Sequence, residues 1–262
     1  MAAHLGMKIY SWNIYSHNRE TDRVFDFIKK SNFDVFCLQE VQKEFLEQLR
    51  TLPYHLAETV DKDRLFRTVV RDHLVILSRY PIEHVGTIPW EDYWPILPLR
   101  TRIFVALMRP LKWTKIKNRN GLYVDVTTPY GSVRVFNLHM PLARPSLRIR
   151  EFEQTMFARD PGRPTIVCGD FNTIESWLTS PLNWLVGGTP GDAILYRRER
   201  TRIEEHFVAH ELVNPLRGHV THAFAGSQLD HILVSNSFSI KNAAVLPDRY
   251  GSDHHPIKVE IS

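Results

Sequence analysis

Cysteine is scarce in this chain: Cys37 and Cys168 are the only two among 262 residues. There is no Cys-x-x-Cys pair, which excludes a structural zinc site of that kind. Both cysteines lie inside apolar runs of strand length and are read as reduced core thiols, with a disulfide as the alternative. Long hydrophobic runs are also missing. No stretch approaches the roughly 18 apolar residues of a membrane span. Met1 to Gly6 is too short and too polar for a signal peptide. A cytoplasmic location is therefore expected, with residues 1–6 as a tail and 7–262 as one domain, and a monomer. Neither an internal repeat nor a low-complexity linker interrupts that span. Strong charge of one sign is absent too. Lys+Arg total 33 and Asp+Glu 29, a net +4 that is compatible with a phosphate-bearing substrate without requiring one.

What the chain does contain is a series of short apolar runs that end in polar side chains. The central one is Thr165-Ile166-Val167-Cys168-Gly169-Asp170-Phe171-Asn172. Thr165 to Cys168 is β-branched and apolar, Pro161-Gly162 blocks a helix before it, and Gly169 permits a sharp turn. Asp170 and Asn172 then leave the end of a buried strand on the same side. Gly, Asp and Asn are also ordinary turn formers, so this stretch gains meaning from the others that share its form. Lys8 to Trp12 reads as a strand delivering Asn13. Val35 to Leu38 is a strand ending in Gln39-Glu40. Val133 to Phe136 runs into His139, Leu229 to Val234 carries Asp230, and Asp253-His254 precedes a last strand, Ile257 to Ile261.

Between these runs the chain reads as a mixture. Helices are expected from Thr21 or Asp22, as caps, through Ile28, and over Gln42 to Arg50, Ser146 to Asp160 and Tyr196 to His210. Further strands are expected over Leu74 to Leu77, Ile103 to Met108 and Tyr123 to Thr127, the last joined to Val133 by a turn at Thr128-Pro129-Tyr130-Gly131. Trp90 to Pro98 and Glu175 to Gly191 read as irregular. Hairpin-like strands with few helices and no regular βαβ repeat point to two packed mixed sheets with helices outside.

The ordered motifs Trp12-Asn13, Gln39-Glu40, Leu138-His139, Gly169-Asp170-Phe171-Asn172, Leu229-Asp230-His231 and Ser252-Asp253-His254 resemble those of the endonuclease/exonuclease/phosphatase superfamily. Leu77-Ser78-Arg79-Tyr80-Pro81-Ile82 resembles a run found in its bacterial members. That superfamily includes deoxyribonuclease I, exonuclease III, sphingomyelinases and inositol polyphosphate 5-phosphatases. The resemblance spans Met7 to Ile261. It implies an α/β fold, a four-layered α/β sandwich, and metal-assisted attack of water on a phosphodiester.

Within that resemblance, Glu40, Asn13 and Asp253 would hold Mg²⁺ or Mn²⁺, since carboxylate and amide oxygens suit these hard ions. His254 would act as general base or phosphate ligand, oriented by Asp230. Asp170 would orient the attacking water and Asn172 would bond a phosphoryl oxygen. His139 would stabilise phosphoryl charge or protonate the leaving oxygen. A His at this place is typical of the deoxyribonuclease I and sphingomyelinase branches, whereas the exonuclease III branch carries Tyr. An acid supporting His139 is not found in the matching run Leu99-Arg100-Thr101-Arg102-Ile103, where Arg102 is the candidate phosphate ligand. The expected partner is a phosphate ester. Nucleic acid is the first candidate, contacted by basic runs at Lys112 to Arg119, Arg144 to Arg150 and Arg197 to Arg202. Trp90, Tyr93 and Trp94 would stack on bases, touch a lipid interface or fill a loop core. The alternative substrate is a phospholipid or small-metabolite phosphoester.

Overall fold

The structure is a computed structural model that describes residues 6–65, 68–108, 115–129, 131–195 and 197–262. Residues 1–5 of the expected tail, Lys112 of the first basic run, Tyr130 of the hairpin turn and Tyr196 at a helix start lie outside the described residues.

Two mixed sheets pack face to face. The first contains β1 (Met7–Asn13), β2 (Val35–Gln42), β3 (His55–Leu65), β4 (Val69–Ser78), β6 (Lys115–Lys117), β12 (Ile240–Val245) and β13 (Ile257–Ile261), in the order β12-β13-β1-β2-β4-β3-β6. The second contains β5 (Ile82–Pro89), β7 (Asn120–Thr128), β8 (Gly131–His139), β9 (Thr165–Asp170), β10 (Leu212–Val213) and β11 (Asp230–Ser235), in the order β10-β11-β9-β8-β7-β5. Among the described residues, only β1 with β2 and β8 with β9 pair in parallel. Strand alternation sends Ile9, Val35, Cys37 and Ile76 of the first sheet against Val124, Val135, Ile166 and Ile232 of the second, all fully buried. Both cysteines are free thiols in this layer, and burial together with contact from Cys168 pushes the Cys37 thiol up.

Helices close the two outer faces. On the first sheet lie α1 (Thr21–Lys30) and α2 (Lys43–Leu49), packed through Val24, Ile28, Phe45 and Leu49. Neither Thr21 nor Asp22 caps α1. Glu20 takes the capping position without a side-chain bond, and Asp22 sits in the first turn, where its charge complements the helix dipole. On the second sheet lie α4 (Pro145–Met156) and α7 (Arg198–Ala209), packed through Phe152, Ile203 and Phe207. The layers are thus helix, sheet, sheet, helix, the expected four-layered sandwich.

Of residues Ile103 to Met108, expected as a strand, Ile103 to Leu107 belong to α3 (Leu99–Leu107) and Met108 is its C-cap. The run has no period-2 alternation and is rich in helix formers, so a short apolar run of this kind is decided by context. Residues 175–191, expected as irregular, contain the short helix α5 (Pro181–Leu185) and the start of α6 (Pro190–Ile194).

A fully buried polar contact joins the sheets at mid-strand. The β2–β4 ladder shifts register between Leu38 and Val41, and the β3–β4 ladder shifts between Val60 and Lys62. Both shifts meet at His73, which stands opposite Val41 and Val60. At this level the Leu38 and Val75 carbonyls accept from the Asn137 side chain of the opposite sheet, each at 2.9 Å. Gln39 Nε2 donates to Asn137 Oδ1 at 2.7 Å. All of these groups are buried, so losing one partner strands the rest. Asn137→Leu is expected to destabilise the protein by about 3 kcal/mol, read as a lower urea midpoint at unchanged slope. An unchanged midpoint would mean that the contact carries no stability.

Candidate active site

The two register shifts decide what reaches the cleft at one end of the sandwich. In a regular strand adjacent side chains point to opposite faces, but a bulge lets both turn the same way. Beside the β3 shift, adjacent Asp61 and Lys62 both reach the site. Glu40, beside the β2 shift, adopts a left-handed backbone with φ of 58°. Asn172 does the same at 51°. Such strain is retained where the surrounding structure fixes a side chain. Gly169 is required for a different reason. A Cβ at its φ of 141° would lie 1.9 Å from the Leu138 carbonyl oxygen, so only glycine lets β9 lie this close to β8.

Asp170 stands at the centre. Its Oδ2 accepts from Asn13 Nδ2 at 3.0 Å and lies 3.6 Å from His139 Nε2 and 3.7 Å from His254 Nε2. Its Oδ1 accepts the Asn172 backbone N–H at 2.9 Å. Each imidazole is held from behind by its own buried carboxylate. His254 Nδ1 lies 2.8 Å from Asp230 Oδ2, and His139 Nδ1 lies 2.8 Å from Asp61 Oδ2. The structure thus corrects the expectation that His139 lacks a supporting acid. The acid is Asp61 on β3, not a residue of the 99–103 run. Arg102 belongs to α3 and bonds the Leu97 and Pro95 carbonyls, so it is no phosphate ligand in the cleft.

Glu40 faces this group from the first sheet. Its Oε2 accepts the Ser16 backbone N–H at 2.8 Å, and its Oε1 meets Lys62 Nζ at 2.7 Å. Asn13 Oδ1 accepts the Tyr15 N–H at 3.0 Å, which leaves that oxygen one lone pair. Asn172 Nδ2 donates to the Met140 carbonyl. Asp253 is partly exposed and lies 3.6 Å from His222 Nε2 and 4.0 Å from His254 Nε2. All eight residues expected from the sequence therefore gather at one end of the sandwich. Seven of them line a cleft of about 560 Å³, and Asp230 stands behind His254. His255 points away and bonds the Leu246 carbonyl.

The electrostatics follow from these contacts. Burial alone would depress the His254 pKa, but Asp230 and Asp170 outweigh it and raise it to about 10. Burial likewise opposes the charge of His139, and Asp61 turns the balance upward. Burial would raise Glu40, yet Lys62 and His139 hold its carboxyl well below the usual range. Lys62 is raised despite burial, by Glu40 and Asp61.

A divalent cation fits this donor set. Glu40, Asn13 and Asp253 offer only oxygen, and Asp253 Oδ1 is a buried oxygen with no hydrogen-bond partner among the described residues. Five carboxylates (Glu40, Asp61, Asp170, Asp230 and Asp253) face three cations even when both imidazoles are protonated, an excess that a divalent ion would neutralise. Two further sets, His222–Asp253–His254 and Asp170–Asp230–His254, present ligand atoms within 4.8 Å of one another.

A family model described as "Endonuclease/Exonuclease/phosphatase family" matches residues 10–254. The chain belongs to this family. Solved structures agree on the fold. An endonuclease/exonuclease/phosphatase from Beutenbergia cavernae is 18% identical with a TM-score of 0.68, over 98% of this chain and 72% of that one. A family protein from Leptotrichia buccalis is 14% identical at 0.68, over 98% and 99%. A mannosyl-6-phosphatase from Bacteroides thetaiotaomicron is 17% identical at 0.62, over 98% and 99%. No curated protein matches.

Asp61, Lys62 and His222 in this family member were not singled out from the sequence. The run Asp61-Lys62-Asp63-Arg64 is uniformly charged, and nothing local marks the bulge that turns Asp61 and Lys62 inward. If each carboxylate sets the charge of its imidazole, Asp230→Asn should lower the His254 pKa and Asp61→Asn the His139 pKa, each by one unit or more, roughly. NMR titration of the metal-free protein reads both. Imidazole pKa values that did not move would show that the pairs do not control protonation.

Proposed function

We propose that this protein is a Mg²⁺- or Mn²⁺-dependent phosphoesterase that hydrolyses a phosphodiester by metal-assisted attack of water. The observation that carries this reading is one carboxylate, Asp170, shared by two imidazoles that are each backed by a buried acid, with Glu40 opposite. When bound at Glu40, Asn13 and Asp253, the ion would supply Lewis-acid neutralisation of phosphoryl charge. The chain's own groups do the rest. Asp170 accepts a hydrogen bond from water and aims it at phosphorus. His254, a cation at neutral pH, serves as a phosphoryl ligand better than as a base. His139, also raised, holds a proton on the side chain facing Asp170 and can pass it to the leaving oxygen. Asn172 fixes Asp170 through its backbone and keeps one amide hydrogen for a phosphoryl oxygen.

Two substrate classes follow from the sequence: nucleic acid, and a phospholipid or small-metabolite phosphoester. The fate of three arginines of the basic runs favours the second. Arg119 is buried against Glu151 and lies over the Trp90 and Tyr93 rings, Arg148 is buried against Glu199, and Arg200 lies against Glu175. Such guanidiniums cannot reach a polynucleotide backbone. Buried Trp90 and Tyr93 likewise fill a loop core and do not stack on bases. The cleft walls beyond the polar centre are apolar, through Ile116, Leu142, Ile174, Leu182 and Phe224.

The test is hydrolysis of a chromogenic phosphodiester, duplex DNA, RNA and phospholipid, each with Mg²⁺ and with EDTA. Activity should need the metal, and Glu40→Gln should lose about a hundredfold or more with an unchanged circular dichroism spectrum. Full activity after dialysis against EDTA would overturn the proposal.

A further inference from the structure

The apolar walls of the cleft continue outside it. A second cavity of about 150 Å³ is lined by Trp94, Leu97, Val105 and Val186, and it shares Ile116 and Leu142 with the cleft. Helix α3 forms its outer side. Only Thr101 of this helix is buried. Leu99, Ile103 and Leu107, four residues apart and so on one face, are 71%, 51% and 72% exposed. Among the described residues nothing packs on that face.

Contacts link α3 to further exposed apolar residues around one side of the mouth. The Arg100 guanidinium lies 4.9 Å over the Trp184 ring and bonds the Trp184 carbonyl, which joins α3 to α5. Leu182 of α5 lines the cleft while Trp184 stays 40% exposed. Thr179, just before α5, bonds the Ala225 carbonyl, and next to Ala225 the cleft-lining Phe224 is 87% exposed. A rim with this much apolar and aromatic exposure is more than the scattered surface residues of an ordinary fold.

Charge decides what covers it. Among the described residues, the arginines beside α3 have no acidic partner in their hydrogen bonds. Arg100 donates to the carbonyls of Trp184 and Gly188, Arg102 to those of Leu97 and Pro95, and Arg144 to that of Ile96. Their positive charge is left unneutralised next to Leu99, Ile103 and Trp184. Several other arginines do pair with acids, as Arg134 does with Asp125 and Arg71 with Asp63. Apolar side chains flanked by partly exposed cations and a partly exposed Trp184 match a bilayer surface bearing anionic headgroups.

We propose that α3 and the adjoining α5 and 222–226 segments dock the cleft onto an anionic lipid surface, and that the phosphoester cleaved is carried by an amphiphile whose apolar part enters the Leu97–Val105 cavity. The docking stands on the surface itself; the substrate class rests on the phosphoesterase reading. Hydrolysis would add water across one P–O bond of the amphiphile, leaving a phosphate monoester and an alcohol.

The experiment is flotation of the full metal-free chain with phosphatidylcholine vesicles, with and without phosphatidylserine, alongside Mg²⁺-dependent hydrolysis of a water-soluble chromogenic phosphodiester. The protein should float with the anionic vesicles, and less so at high salt. The double substitution Ile103→Glu and Leu107→Glu, at two exposed positions outside the catalytic group, should weaken flotation about tenfold or more and leave soluble-substrate hydrolysis unchanged. Release of a phospholipid headgroup should fall with flotation in the same variant. No flotation by the wild type, or equal flotation by the variant, would overturn the docking surface. Flotation together with lipid hydrolysis no faster in the wild type than in the variant would overturn the substrate class. Absence of any metal-dependent hydrolysis by the wild type would remove the phosphoesterase reading and leave the docking result to stand or fall by flotation alone.

Discussion

The Asn137 side chain is the contact on which the two halves of the site depend. Glu40, Asp61 and Lys62 come from the first sheet, whereas His139, Asp170 and Asp230 come from the second. Hydrophobic packing holds the sheets together but is indifferent to small slips along the strands. A buried amide that must satisfy two carbonyls of the opposite sheet is not indifferent. It fixes the sheets against each other at the level where both ladders shift register. The shifts leave those carbonyls to Asn137, and they also turn Glu40, Asp61 and Lys62 toward the cleft. One local departure from regular pairing therefore both locks the sandwich and builds one side of the site.

The second sheet supplies its side by close approach. Gly169 brings β9 against β8 so that His139 and Asp170 end as direct neighbours in a parallel pair. Asn13 then bridges from the first sheet to Asp170, and Ser252 Oγ and Trp12 Nε1 tie the last motif to the first through the Asn13 and His254 carbonyls. Lys62 is the unexpected member. A buried ammonium against Glu40 lowers the cost of keeping that carboxylate charged inside the protein. In the proposed function it would share Glu40 with the ion.

The sequence made the strand ends legible because each apolar run stops at a polar residue, and six such endings fall in the order of a family pattern. The sandwich was legible for the same reason. Where it was not, the cause is local. Ile103 to Met108 is apolar without a period, so composition could not separate strand from helix. Asp61 escaped notice because His139 was sought a partner in the 99–103 run, whereas its acid comes from a bulged strand far away in sequence. A list of arginines also does not say which are paired inside, as Arg119, Arg148 and Arg200 are. The exposed face of α3 was hidden by the strand reading, which would have alternated Ile103 and Val105 to one side and Phe104 and Ala106 to the other.

The central claim is that Glu40, Asn13 and Asp253 form a divalent-ion site beside the paired imidazoles. Crystals soaked in Mn²⁺ and measured for anomalous scattering test it most directly. The account predicts one dominant peak within coordination distance of a Glu40 carboxylate oxygen, with Asn13 or Asp253 reached directly or through water. A peak held by His222, Asp253 and His254 with Glu40 still bonded to Lys62, or no peak in the cleft at saturating Mn²⁺, would contradict it.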